Sequence, residues 1–149
     1  MANTTAWLRL IRMDLGIAQK ETIFNGDLDA LDASLNGNVA ITLSDANTTL
    51  TETQQCNRTI VFNGALTAGR TVFIRVSTDG VVNARPGSWN IFNNTGQTLT
   101  FKLATVTSGT PTGFGTGATI TAGKKRILAH TNPSGAGTSG DVFAWTAEL

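Results

Sequence analysis

The sequence predicts an all-β protein, a β-sandwich or jelly-roll-like barrel, with an N-terminal arm and one short helix ahead of it. Three observations carry this. From Asn38 onward, apolar and polar residues alternate with a period of two. The runs are rich in β-branched and aromatic residues, which fit a pleated, half-buried surface. Between them lie turn dipeptides and Gly/Asn/Pro clusters at the spacing of about seven short strands.

Residues 1–24 read as an arm. Trp7, Leu8, Leu10, Ile11, Met13 and Leu15 are apolar, with Arg9, Arg12 and Asp14 between them. The spacing matches neither a strand nor a helix well. An apolar arm at a chain end is commonly tied down, here on its own domain or on a neighbour. Residues 25–37 (NGDLDALDASLNG) read as a short helix, because Leu28, Leu31 and Leu35 share one face. Asn25 is the candidate N-cap, with Asp27 and Asp29 in a first turn where the helix dipole favours negative charge. Asn36-Gly37 supplies the stop. So short a helix is not stable alone, and its leucine face must dock.

Strands follow at Val39–Leu43, Ile60–Phe62, Val72–Val76, Trp89–Phe92 and Leu99–Leu103, with two more at Arg126–His130 and Val142–Ala147. Asn63-Gly64, Asp79-Gly80, Arg85-Pro86-Gly87, Asn93 to Gly96 and Pro133 to Gly140 separate them. The Gly/Thr-rich span Thr107 to Gly117 is expected to be a loop or a lightly structured excursion. The organisation is thus residues 1–37, arm and helix, and residues 38–149, the β domain.

Composition narrows the function. The 149 residues hold eleven Lys+Arg against ten Asp+Glu. A near-neutral chain argues against nucleic-acid binding, which depends on neutralising phosphates. Weakly charged chains tend to associate, so much of this surface is expected to meet protein. Cys56 is the sole cysteine, which excludes an intrachain disulfide. No apolar run approaches the roughly 20 residues of a membrane span, and the opening residues lack a signal-peptide pattern.

The chemistry-bearing residues are sparse. His130 is the only histidine, and it ends a strand-like run. Cys56 lies in TETQQCNRT, a polar loop or strand start. A thiol nucleophile there needs a base or cation close by. Asp27, Asp29 and Asp32 lie close together, but a calcium loop needs a mid-loop glycine and a distal Glu. Asp45, Glu52, Asp79 and Asp141 fall at turns, where acids are ordinary. Lys124-Lys125-Arg126 reads as a solvated strand edge, or a contact for an acidic protein surface. GFGTGATITAG lacks the lysine and the strand-to-helix setting of a phosphate loop. Trp89 and Trp145 are expected in core or interface packing, with sugar stacking the alternative. No catalytic residue, metal or cofactor is expected.

Three segments carry a resemblance. They are Gly64-Ala65-Leu66-Thr67 with Arg70-Thr71-Val72, Trp89 to Phe101 with its Asn-Asn-Thr-Gly turn, and Gly123-Lys124 to Leu128. Over about residues 38–130 the chain resembles a β-rich module of bacteriophage virion proteins. Such modules occur in tail fibres, head fibres and capsid decoration proteins. The linker Val81 to Pro86 and the span Thr107 to Gly117 depart from its pattern. The resemblance implies a non-enzymatic structural protein on the virion surface, assembled in the host bacterial cytoplasm. A compact chain without a long repetitive shaft suits a capsid decoration, or cement, protein. It would bind the major capsid protein as a homotrimer, with no nucleic acid and no membrane as partner. The arm residues Trp7, Leu8, Leu10, Ile11 and Leu15 are the candidate capsid or subunit contacts. The alternatives are a tail- or head-fibre module and a carbohydrate-binding β-sandwich.

Overall fold

The computed structural model describes residues 3–4, 11–12, 20–83, 85–131 and 140–149. Strands β1 (Asn3–Thr4) and β2 (Ile11–Arg12) pair with each other. Then come α1 (Lys20–Asn36), β3 (Asn38–Thr42), β4 (Thr48–Thr49), α2 (Glu52–Gln55) and β5 (Thr59–Asn63). They are followed by β6 (Arg70–Thr78), β7 (Val81–Val82), β8 (Ser88–Asn93), β9 (Leu99–Thr107), β10 (Thr110–Ile120), β11 (Lys125–His130) and β12 (Val142–Ala144). The chain is mostly β, as the alternation predicts.

Two five-stranded sheets share one core. One has the order β12-β11-β8-β5-β3 and the other β10-β9-β6-β4, with β7 also on β6. The chain shuttles between them. Strands β3, β5 and β8 enter the first sheet and run parallel; β4, β6 and β9 enter the second and run parallel. Parallel neighbours need a crossover between them. Here that crossover runs through the other sheet. Antiparallel strands close the far end: β10 on β9, and β11 on β8 followed by β12.

The core lies between the sheets. Ile60, Phe62, Trp89, Ile91 and Leu128 point inward from the first, and Val72, Ile74, Leu99, Phe101 and Leu103 from the second. The Phe62 and Phe101 rings meet across it with centroids 5.5 Å apart. Each fully buried large apolar side chain contributes about 1.5–3 kcal/mol relative to exposure.

Three expectations need correction. The helix begins at Lys20, so Asn25 is an interior residue rather than the N-cap, and Asp27 and Asp29 lie beyond the first turn. The leucine face is left uncovered among the described residues: Leu28, Leu31 and Leu35 are 46%, 38% and 63% exposed. Thr107 to Gly117 is no loop, because β10 fills most of it. Ser108-Gly109, with φ of 47° and 82°, makes the two-residue turn that suits strand twist, and β10 folds back along β9. The register shifts between Phe114 and Ala118, where Gly115 and Gly117 take φ of 77° and 82°. The Asp141 carboxylate holds this bulge, accepting hydrogen bonds from the Thr116 and Gly117 N–H groups at 2.9 and 2.7 Å. The glycines serve the kink in a strand, a role that composition alone reads as a loop.

The second helix, α2, was unforeseen in TETQQ. Thr51 caps it: the Gln54 N–H donates to Thr51 Oγ1 at 3.2 Å and the Thr51 N–H to Gln54 Oε1 at 2.9 Å. This reciprocal box needs only a Thr followed three residues later by Gln. It delivers Gln55 to the edge of β6. There the Gln55 amide donates to the Arg75 carbonyl and accepts from the Arg75 N–H, both at 2.9 Å. A side chain thus pairs with the stretch of β6 left between β4 and β7.

Candidate functional site: an apolar sheet face

The residues of the three motifs hold the fold at its turns. Gly64 passes so close to Leu43 that a Cβ there would lie 2.5 Å from its carbonyl oxygen. Asp45 then clasps the segment that follows. Its carboxylate accepts from the Thr67 N–H at 3.1 Å, the Thr67 hydroxyl, and Arg70 Nε and Nη2 at 2.9 and 2.6 Å. Those bonds, the Thr67 hydroxyl first, hold the Asp45 carboxyl below its usual pKa. Asn93, fully buried, donates to the carbonyls of Gln97 and Ile120 at 2.8 and 2.9 Å, and accepts from the Thr95 N–H and hydroxyl. The Asn93 N–H donates to the Lys124 carbonyl at 2.9 Å, which joins the second motif to the third.

The titratable singletons are likewise placed for packing. His130 is buried beside Trp89, ring centroids 5.5 Å apart, with Nε2 3.1 Å from the Pro86 carbonyl. Burial, and then the Arg85 charge, push its pKa down to about 4 against the Pro86 bond. Arg85 is itself buried and donates to the Asn83 carbonyl at 2.9 Å. Cys56 ends α2, and burial with the Glu52 charge raises its pKa to about 11, which disfavours the thiolate that nucleophilic chemistry requires. Among the described residues, no group of three or more His, Cys, Asp or Glu is placed to hold a metal ion. No described helix is long and apolar enough to cross a membrane.

What stands out is the outer face of the first sheet. Register puts Thr59, Asn90 and Ile127 in one row and Val61, Phe92 and Lys125 in the next. The C-terminal segment extends this face. Trp145 donates its N–H to the Ile127 carbonyl at 2.8 Å, and Leu149 exchanges backbone hydrogen bonds with Lys125 at 3.1 and 3.2 Å. Glu148 anchors the segment by accepting from the Thr121 N–H and hydroxyl at 2.7 and 2.8 Å. Phe92, Phe143, Trp145 and Leu149 are 37%, 41%, 70% and 69% exposed. Phe143 and Trp145 lie side by side with centroids 6.4 Å apart. Beside them Phe92, Ile127 and Leu149 frame an open groove of about 260 Å³, with Thr59, Asn90 and Thr146 on its walls and Lys125 on its rim. None of the side chains lining the groove is a carboxylate, histidine or cysteine. It offers apolar area, a few amide and hydroxyl groups and the cations Lys125 and Arg126, which suit binding.

The two tryptophans part company. Trp89 is core, fully buried, with Nε1 donating to the Gln55 carbonyl at 2.7 Å. Trp145 is outside it. Of the arm residues expected to make contacts, Trp7, Leu8, Leu10 and Leu15 lie outside the described residues. Ile11 falls in β2, opposite Thr4. The alternation of Asn90, Phe92 and Ile127 against their inward neighbours is the sequence signal for this sheet face. Comparison with family models, with curated proteins and with solved structures returned no match to this chain.

Proposed function

We propose that this chain is a non-enzymatic structural protein of a bacteriophage virion, a capsid decoration or cement protein. In this reading its two sheets form a sandwich that sits as a homotrimer on the outer capsid and adds contact area across subunit junctions. The observation that carries the reading is the apolar outer face built from Phe92, Phe143, Trp145 and Leu149. Contiguous exposed apolar surface of this kind marks a site of protein contact. The motif residues support it as well, since Asp45, Thr67, Arg70 and Asn93 spend their polar groups on turns. The arm, Trp7 to Leu15, is the proposed grip on the capsid.

Particles stripped of this protein provide the test. The full chain is expected to rebind them and raise their resistance to heat, while a chain lacking residues 1–16 rebinds weakly with its β domain folded. Equal binding by the shortened chain would remove the arm from the account. Failure of the full chain to bind any capsid would remove the decoration role.

The exposed Phe143–Trp145 pair also favours a second reading, a carbohydrate-binding face, because aromatic surfaces flanked by amides suit sugar rings. Trp145 fluorescence that shifts on a glycan titration would support it, and a flat titration across a glycan panel would dismiss it.

A further inference from the structure

Two apolar surfaces stand exposed among the described residues, and they differ in charge. On α1, Leu28, Leu31 and Leu35 stand exposed in a stripe. Asp29 and Asp32, three residues apart and both exposed, run along one flank of it. On the first sheet, the groove framed by Phe92, Ile127 and Leu149 has Lys125 at its rim, and Lys124 is exposed in the adjoining turn. The helix is tied to the β domain at its C-terminal end, where the Ala33 carbonyl accepts from the N–H groups of Gly37 and Arg58 at 2.8 and 3.1 Å. Its leucines remain uncovered by that attachment. A helix of this length with Asn25, Gly26 and three aspartates within it is marginal without a partner.

We propose that α1 of one copy docks in the apolar sheet groove of a second copy, leucines against Phe92, Ile127 and Leu149, with Asp29 and Asp32 facing Lys124 and Lys125. The leucines recur at the i, i+3, i+7 spacing by which an amphipathic helix anchors in a hydrophobic groove. The opposite flanking charges fix the partner as this chain and not an unrelated apolar segment, and they set the direction in which the helix lies. Each copy then offers a helix and receives one. Such a head-to-tail contact uses two different patches and closes into a ring when the rotation allows. This contact rests on the homotrimer of the proposed function and names where its copies meet.

The test is the native mass of the full chain by sedimentation, for the wild type, Asp29→Lys/Asp32→Lys, Lys124→Glu/Lys125→Glu and the four-fold variant. All four side chains are exposed, so the fold is retained, and the fluorescence of buried Trp89 verifies it. The wild type is expected to be a trimer whose association weakens with salt. Each double variant should associate roughly tenfold more weakly, and the four-fold variant should recover most of the loss. Double variants as trimeric as the wild type overturn the docking and leave the trimer standing. Weakened doubles without recovery in the four-fold variant also overturn it, because the charges then act on something other than each other. A wild type that is monomeric at micromolar concentration removes the trimer, and the docking with it.

Discussion

Among the described residues, leucine occurs in two settings. Leu99, Leu103 and Leu128 are fully buried between the sheets, whereas Leu28, Leu31 and Leu35 on α1 are 46%, 38% and 63% exposed. The β domain covers its inward-facing apolar residues from within the chain, because strands shuttling between two sheets cover each other's inner faces, while Phe92, Phe143, Trp145 and Leu149 stay on the outside. Among the described residues, nothing comparable covers the leucines of the helix. The difference separates the apolar residues that build the core from those left exposed on the surface.

Substitutions sharpen that contrast. The largest effect is expected in the core. Trp89→Ala removes the biggest buried side chain together with its hydrogen bond to the Gln55 carbonyl, and should cost about 3–5 kcal/mol in urea denaturation. Leu31→Ala, measured on dilute protein, should stay within about 0.5 kcal/mol, as exposed positions do. A core-sized loss at Leu31 would break the comparison, because α1 would then be packed within its own chain.

Acid comes next. Burial keeps His130 neutral down to about pH 4, whereas the unfolded chain takes up the proton near its ordinary value of 6.5. Stability from this group is fully present above pH 6.5. It declines as pH falls toward 4, because only the unfolded state gains the proton. The decline amounts to about 3 kcal/mol. His130→Gln should flatten the stability profile across that window in thermal melts at a series of pH values. An unchanged slope would locate the acid sensitivity elsewhere.

The smallest expected effect is at the clasp. Asp45 is held below its usual pKa by Thr67 and Arg70, so its contribution is present above the ordinary carboxylate range and is lost as pH falls through the lowered value. Asp45→Asn should lower the melting temperature slightly at neutral pH and leave a difference that shrinks in strong acid. A gap that persists below both carboxylate values would mean that Asp45 acts through shape alone.

Much of the β domain was legible in the sequence, for a definite reason. Inward and outward residues alternate wherever one sheet face is buried, so Ile60/Phe62, Val72/Ile74 and Leu99/Phe101/Leu103 announce their strands. Which strands pair is a different matter. The parallel order β3-β5-β8 depends on crossovers through the opposite sheet, and no local pattern encodes that. Strand β10 was hidden because its glycines resemble loop composition, while their actual partners, the Asp141 carboxylate above all, lie far along the chain. The true start of α1 was obscured because Asn25, a good capping residue, sits inside the helix. Trp89 and Trp145 sit in similar alternating runs, so only the sheet, by assigning each a side, tells core from surface.

The winding of the sheets bears on how the protein is made. Strands β3 to β9 emerge from the ribosome before β10 and β11 and stack in order, yet β8 and β9 keep bare hydrogen-bonding edges until β11 and β10 arrive to cover them. A nascent or prematurely stopped chain is therefore sticky along its newest strands. The closing strands work as a terminator, limiting a stack that would otherwise welcome another rung.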